Sequence, residues 1–559
     1  MNTKKLRLNI ITLGFIVLAS GTAGCDVIGD ILGGFAAVCE QTQLVVTKPE
    51  DTNDGICTAD DCSLREAVIT SNDCPGTQTI RVPNGLYTLT LTGAGEDMSR
   101  TGDLDIRDDV IISGEGVNFE DIPTFEEAVV IDGLNEDRIF DIQPARDLDR
   151  TSPLEVSLAG LWLQNGQEER GGGILNRGDL SMSGIHITNT RAVLNSSTGG
   201  VSQGGALLSQ DNGNVEMEWV YIGPSSADEG GAVYIHSGLL EWSNGEASGN
   251  TATQDGGGLY IRYGAQARLD TVDFRDNEAG GDGGAIYTDG ELDGSNVLMA
   301  ANIVNGRGGG LFNGSLAEAW LYSMWITNNN ADRGGGIFNA GIVYLYQSGI
   351  NNNTAFANQG GGIANVRDAL TPDGEPGAGL VLANVTVSGN MLGAPDSPGG
   401  AGLFNDDGHL FINFNTFAYN SPDGILDVSS SEREFLIRSS ILAYHAEGNC
   451  HGFSGVSFGH NIDDGSTCGF SNTGDQTETD PLLRRLADFG SGGLVHALHP
   501  DSPAVDRGND SECVATDQRG MSRPQGARCD VGAFELDPDS TEPPPEPGEE
   551  EETTEEEEG

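Results

Sequence analysis

The run Gly341-Ile342-Val343-Tyr344-Leu345-Tyr346 has a two-residue alternation, which predicts a strand rather than a helix. Similar short runs recur along the chain, separated by glycine pairs. The aliphatic residues that follow those pairs are Ile174, Leu207, Val233, Leu259, Ile286, Leu311, Ile337, Ile363, Leu403 and Ile425, at steps of 33, 26, 26, 27, 25, 26, 26, 40 and 22. A sustained period in this range marks a solenoid or an array. Three short strands and three turns fill about 26 residues at roughly 3.3 Å per residue, which is one coil of a parallel β-helix. The glycine pairs suit corners that need positive φ or leave no room for a Cβ.

Two further columns follow the same period. Asn250, Asn277, Asn302, Asn328 and Asn353 predict an asparagine ladder, each amide bonding the next coil. Tyr234, Tyr260, Tyr287, Phe312 and Phe338 predict an aromatic stack, which packs, or serves as a sugar-binding stripe if it faces outwards. Less regular strands, Thr79–Val82, Gly102–Ile106 and Val129–Gly133, read as the first coils. Residues 79–440 then give roughly 13 to 15 coils, a rod about 60–70 Å long. The ends of such a rod expose unpaired backbone and need covers. Ser63 followed by Glu66 is a capping box, so residues 43–78 are expected to form a front cap around a short helix with Leu64, Ala67 and Val68 packed inwards. Residues 441–536 are expected to form the rear module, and the acidic, proline-broken 537–559 a disordered tail.

Charge narrows the partners. A net charge of -57 with scattered arginines excludes a nucleic-acid backbone as ligand. Lys4, Lys5 and Arg7 precede the apolar stretch Leu8–Ala19, and Gly21-Thr22-Ala23-Gly24 leads into Cys25. This is the layout of an export signal over residues 1–24 and resembles a lipoprotein signal, with Thr22 where leucine is usual. It implies lipidation at Cys25, a linker over 25–42, and attachment to the envelope, outer membrane or cell surface through the lipid alone. Eight cysteines remain after Cys25, an even number that favours disulfides in an exported chain. Local spacing pairs Cys57 with Cys62, Cys450 with Cys468 and Cys513 with Cys529, and leaves Cys39 and Cys74 for each other; the exact pairing at the N-terminal end stays open.

Several motifs carry a family resemblance. Cys62-Ser-Leu-Arg-Glu-Ala67 resembles the CSLREA head of bacterial surface proteins. The glycine-pair coils with aromatic-x-x-Asn (Phe274 to Asn277, Trp325 to Asn328, Phe417 to Asn420) are similar to polymorphic outer membrane protein repeats. Asp480-Pro-Leu-Leu, His496–Asp506, Thr516–Gly520 and Cys529–Glu535 resemble the choice-of-anchor Q domain. Together they imply an all-β fold, a right-handed parallel β-helix of the pectate-lyase-like superfamily with a short N-terminal capping helix and a disulfide-bearing C-terminal cap. They imply a fold far better than an activity.

One column holds candidate chemistry. The residues before each glycine pair are Arg170, Gln203, Glu229, Asp255, Asp282, Arg307, Arg333 and Gln359. Glu229, Asp255 and Asp282 stack acids on successive coils, an arrangement that a calcium ion would neutralise. Arg307 on the next coil is the candidate catalytic base, as in pectate-lyase-like enzymes. The plainer reading is a solvated column of turn residues. Asp51, Asn53 and Asp54 read as an Asx turn rather than a calcium loop. The five histidines after residue 440 show no metal-ligand spacing. Asp506, Asp517, Arg519 and Asp530 are expected to form a structural charge network. The leading expectation is a surface β-helix that binds polysaccharide or cell-surface glycan, or acts as a stalk, without catalysis. The alternative is a calcium-dependent lyase acting on an acidic polysaccharide.

Overall fold

The structure is a computed structural model. It describes residue 39 and residues 42–538, apart from 94, 116–127, 145–151, 195–199, 368–377, 394–398, 430–433, 454 and 491–492. Cys25, the export signal and the acidic tail lie outside the described residues.

The chain winds into a parallel β-helix, with strands of successive coils paired in register. A 13-stranded sheet, here the glycine sheet, begins at Leu104–Ile106 and ends at Gly448–His451. In it Ile174 pairs with Leu207, then Val233, Leu259, Ile286, Leu311, Ile337, Ile363, Leu403 and Ile425, the aliphatic column of the sequence. All ten are fully buried. Where a glycine pair precedes one of them, its two members do different work. Gly308 adopts φ +71°, and a Cβ on Gly309 would stand 2.3 Å from the Gly335 carbonyl of the next coil.

A 26-stranded outer sheet has two legs, joined in the middle coils as single strands such as Leu239–Ser248 and Gln266–Arg275. One positive-φ residue per coil marks the corner between the legs, among them Asn244, Thr271, Asn296, Ser323 and Gln347. A nine-stranded third sheet closes each coil, from Gln167–Glu168 to Met391–Leu392. One apolar cluster fills the interior from Leu44 to Phe470.

The ladder forms, with one change of member. Asn250, Asn277, Asn302, Asn329, Asn353, Asn390 and Asn420 are buried, each Nδ2 donating to the next Oδ1 at 2.9–3.0 Å. The expected member Asn328 is instead a corner residue with φ +56°, a conformation asparagine tolerates. The ladder ends at His445, whose Nε2 faces the Asn420 amide at 3.1 Å and whose Nδ1 faces Asn449 at 2.7 Å. Burial pushes the His445 pKa down, so the ring is a neutral link in the chain of amides. A second buried ladder, Asn313, Asn339, Asn365 and Asn405, runs inside the glycine sheet at 2.8 Å per step.

At the front, Ser63 and Glu66 make both halves of the capping box, at 3.1 and 2.8 Å, and open the helix Leu64–Asp73. Arg65 on that helix is fully buried. Its guanidinium pairs with Asp51 at 2.6 Å and donates to the carbonyls of Ser99, Gly102 and Asp103. Disulfides join Cys39 to Cys74, Cys57 to Cys62, Cys450 to Cys468 and Cys513 to Cys529.

The rear module, residues 441–536, combines the last coils with a returning strap. Coils continue past residue 440, through Ile441–Ala443 and Ile462–Asp463 to Gln476–Thr477. Residues 483–536 then fold back as a strap along the outer sheet, starting with the antiparallel pair Leu483–Asp488 and Leu494–Leu498. Gln347 donates to the Asp517 carbonyl (2.7 Å), Asn384 to that of Thr516 (2.7 Å), and Thr386 to Gln518 (2.5 Å). Arg523, buried and paired with Glu535 at 3.0 Å, also reaches Asn384 at 3.3 Å.

Candidate functional site

The column before the glycine pairs lies along one edge of the glycine sheet, and its members bond to one another. Glu229 accepts from the Gln203 amide at 2.9 Å. Asp255 accepts the backbone N–H of Asp282 at 2.7 Å. Asp282 accepts the backbone N–H of Arg307 at 2.8 Å and pairs with the Arg307 guanidinium at 2.6 Å. That guanidinium also lies over Phe312 and Phe338, 4.6 and 4.9 Å from their centroids. A calcium ion takes six to eight oxygens; here the carboxylates already serve amides, backbone and arginine, so this donor set does not fit one. The Arg307 guanidinium thereby links the Asp282 carboxylate to the aromatic stack.

Tyr234, Tyr260, Tyr287, Phe312 and Phe338 hold the middle, outward register position of the glycine-sheet strands, yet they are buried or half-buried. Their rings stack with centroids 4.5–5.6 Å apart. Each ring face meets the next ring, so the column packs and offers no platform along its length. Among the described residues no group of three or more His, Cys, Asp or Glu gathers into a metal site. His460 faces the Arg507 carbonyl (2.7 Å), and His496 sits between Ser388 (2.8 Å) and the Arg484 carbonyl (2.7 Å). The expected charge network is present and larger than the sequence indicated. Asp517 pairs with Arg519 (2.7 Å), Asp530 accepts the Asp506 N–H (2.7 Å), and Arg523 and Glu535 complete it.

A recess with ligand-sized room lies on the first leg of the outer sheet. It is a trough of about 470 Å³ spanning the coils of Glu216, Glu241, Arg268, Asp293 and Trp320. Those residues hold one outward column, and Ser243, Asp270 and Ser295 hold the next outward column, two residues on. Arg268 pairs with Glu241 at 2.9 Å. Trp320, 47% exposed, stacks on Tyr344 at 3.9 Å, so its other face turns along the rod into the trough. A second recess of about 320 Å³ abuts it. There Asn296, Tyr322, Trp325 and Gln347 meet Gln518, Arg519 and Gly520 of the strap. The sequence did not single out these residues. Their signal was present, since outward positions on consecutive coils carry a row of charged residues that ends at a tryptophan, but it reads only once the register is fixed.

No protein-family model and no curated protein matches the chain. Among solved structures, a pectate lyase crystal structure is similar, at 12% identity over 88% of this chain and 96% of that chain, with a TM-score of 0.25. At that identity and score, the likeness bears on neither substrate nor site residues.

Proposed function

We propose that this chain is an exported surface β-helix, anchored by lipid at Cys25, that binds glycan in the outer-sheet trough without cleaving it. The observation that carries the reading is the trough itself: an open recess lined by carboxylates and an arginine with an exposed indole at one end, chemistry that meets sugar hydroxyls and C–H faces. The head and tail motifs and the disulfides support a place outside the cytoplasm. The acidic column with Arg307 serves as packing in this reading, and calcium is not required.

The test is to incubate the purified protein with neutral, acidic and amino-sugar polysaccharides, with and without calcium, recording both retention and new chain ends. Retention without new ends, unchanged in Arg307→Ala and lost in Trp320→Ala, is expected. Calcium-dependent cleavage that disappears in Arg307→Ala would establish the lyase instead.

A further inference from the structure

We infer that the trough selects a glycan bearing free amino groups, an oligomer of the glucosamine type, with one ammonium seated between the Trp320 indole and the Asp293 carboxylate on the adjoining coil, and the following ammoniums along the row of Asp270, Glu241 and Glu216. This rests on the glycan-binding reading above and adds the class of sugar.

Charge is the first reason. Four carboxylates and one guanidinium line the recess, and the side chains of Glu241, Arg268 and Asp293 are all more than half exposed. A uronate polymer would meet net repulsion there, whereas an ammonium is drawn in. The cation the chain itself supplies, Arg268, already bridges towards Glu241 (2.9 Å) and Asp293 (3.8 Å), which shows what these walls hold. The indole is the second reason. One Trp320 face is covered by Tyr344, and the other closes the trough beside Asp293, its neighbour in register, where a cation over the ring gains both π and carboxylate attraction.

The rest of the outer sheet argues for a sugar over a peptide. Where the strap docks, the second leg presents Gly349 and Thr386, and polypeptide comes close enough for Gln347 and Asn384 to reach its carbonyls. On the coils before the strap the same outward column carries Glu246, Asp273 and Leu298, and the first leg carries the charged walls. Protruding side chains keep a flat backbone off the sheet, while hydroxyls and amines on a sugar chain meet them at their tips. The chain's own acidic 539–559 and a second copy of this protein, at a net charge of -57, are both repelled.

The experiment is calorimetric titration of the mature protein with glucosamine hexamer, N-acetylglucosamine hexamer, cellohexaose and hexalysine. It compares wild type, Trp320→Ala, Glu241→Gln/Asp293→Asn, and Asp501→Asn on the strap as a charge control, with melting curves to confirm folding. The expected result is glucosamine hexamer binding at least about tenfold tighter than the other two sugars and than hexalysine, and weakening with salt. Each trough variant should lose about tenfold, with Asp501→Asn unchanged. Equal binding of the acetylated hexamer or cellohexaose would overturn the amine inference and leave glycan binding standing. Equal binding of hexalysine, or an equal loss in Asp501→Asn, would overturn it in favour of bulk charge. Binding of no sugar would remove both readings.

Discussion

The two halves of the outer sheet share one register and one kind of core, yet only one half is covered. On the second leg, from the coil of Gly349 onwards, small side chains such as Gly349, Thr386 and Thr416 face outwards and the strap lies along them. On the coils before it the same column carries Glu246, Asp273 and Leu298, with Trp325 lining the recess at the edge of the strap, while the first leg carries the open trough. The lesson is that the coil's inward residues decide the fold while its outward residues decide what the fold is covered by. A ladder amide and an exposed indole are therefore informative about different things.

That comparison breaks most severely at Arg523. Its guanidinium is fully buried and joins Glu535 to Asn384, so Arg523→Ala leaves a carboxylate buried without its partner and should destabilise the strap by about 3–5 kcal/mol. Limited proteolysis should then release residues 483–536 while the coils stay protected.

Acidity acts on the same contact from two sides. Burial pushes His496 down to about 4. Above its unfolded pKa near 6.5 the ring is neutral in both states and nothing is lost. Between about 6.5 and 4 only the unfolded strap takes up the proton, so strap stability falls with pH, by about 3 kcal/mol at most. Burial pushes Asp530 up to about 7. Between about 3.8 and 7 the folded strap keeps a proton that the unfolded one has released, so this group's contribution falls as pH rises. The two oppose, with buried Glu535, also pushed up by burial, on the side of Asp530, so strap stability in the wild type should vary less from pH 4 to 6.5 than it does once the His496 side is removed. His496→Gln should remove one side and leave stability decreasing with rising pH, read as the midpoint of strap proteolysis against pH.

The register itself is tested by a neighbouring pair. Asn329→Ala removes a ladder amide bonded to Asn353 and to the Met299 carbonyl, and should cost about 2–3 kcal/mol in thermal or denaturant unfolding. Asn328→Ala only strains a corner at φ +56° and should cost about 1 kcal/mol, with Asn328→Gly close to neutral. A larger effect at Asn328 than at Asn329 would contradict the ladder as described.

Much of the fold was legible because glycine pairs are demanded by the coil's tightest contact and so recur in the sequence. The aliphatic column, the capping box and the aromatic stack were read from it directly. The ladder slipped by one residue at Trp325–Asn328, because two adjacent asparagines serve two different purposes and Ile326, not Trp325, points inwards. The second ladder was also visible, with asparagine two places after Ile174, Leu311, Ile337, Ile363 and Leu403, but aromatics between them drew the reading away. The strap was not legible. Its contacts join residues such as Ser388 and His496, 108 apart, and no periodicity links them. The trough had the same difficulty, since its walls assemble from five coils.

The most direct test of the account is glycan binding by two variants side by side, Trp320→Ala and Arg307→Ala, each compared with the wild-type protein on the sugar it retains best. The account predicts that binding falls about tenfold in Trp320→Ala and is unchanged in Arg307→Ala. The reverse pattern would place function on the glycine-sheet column and contradict it.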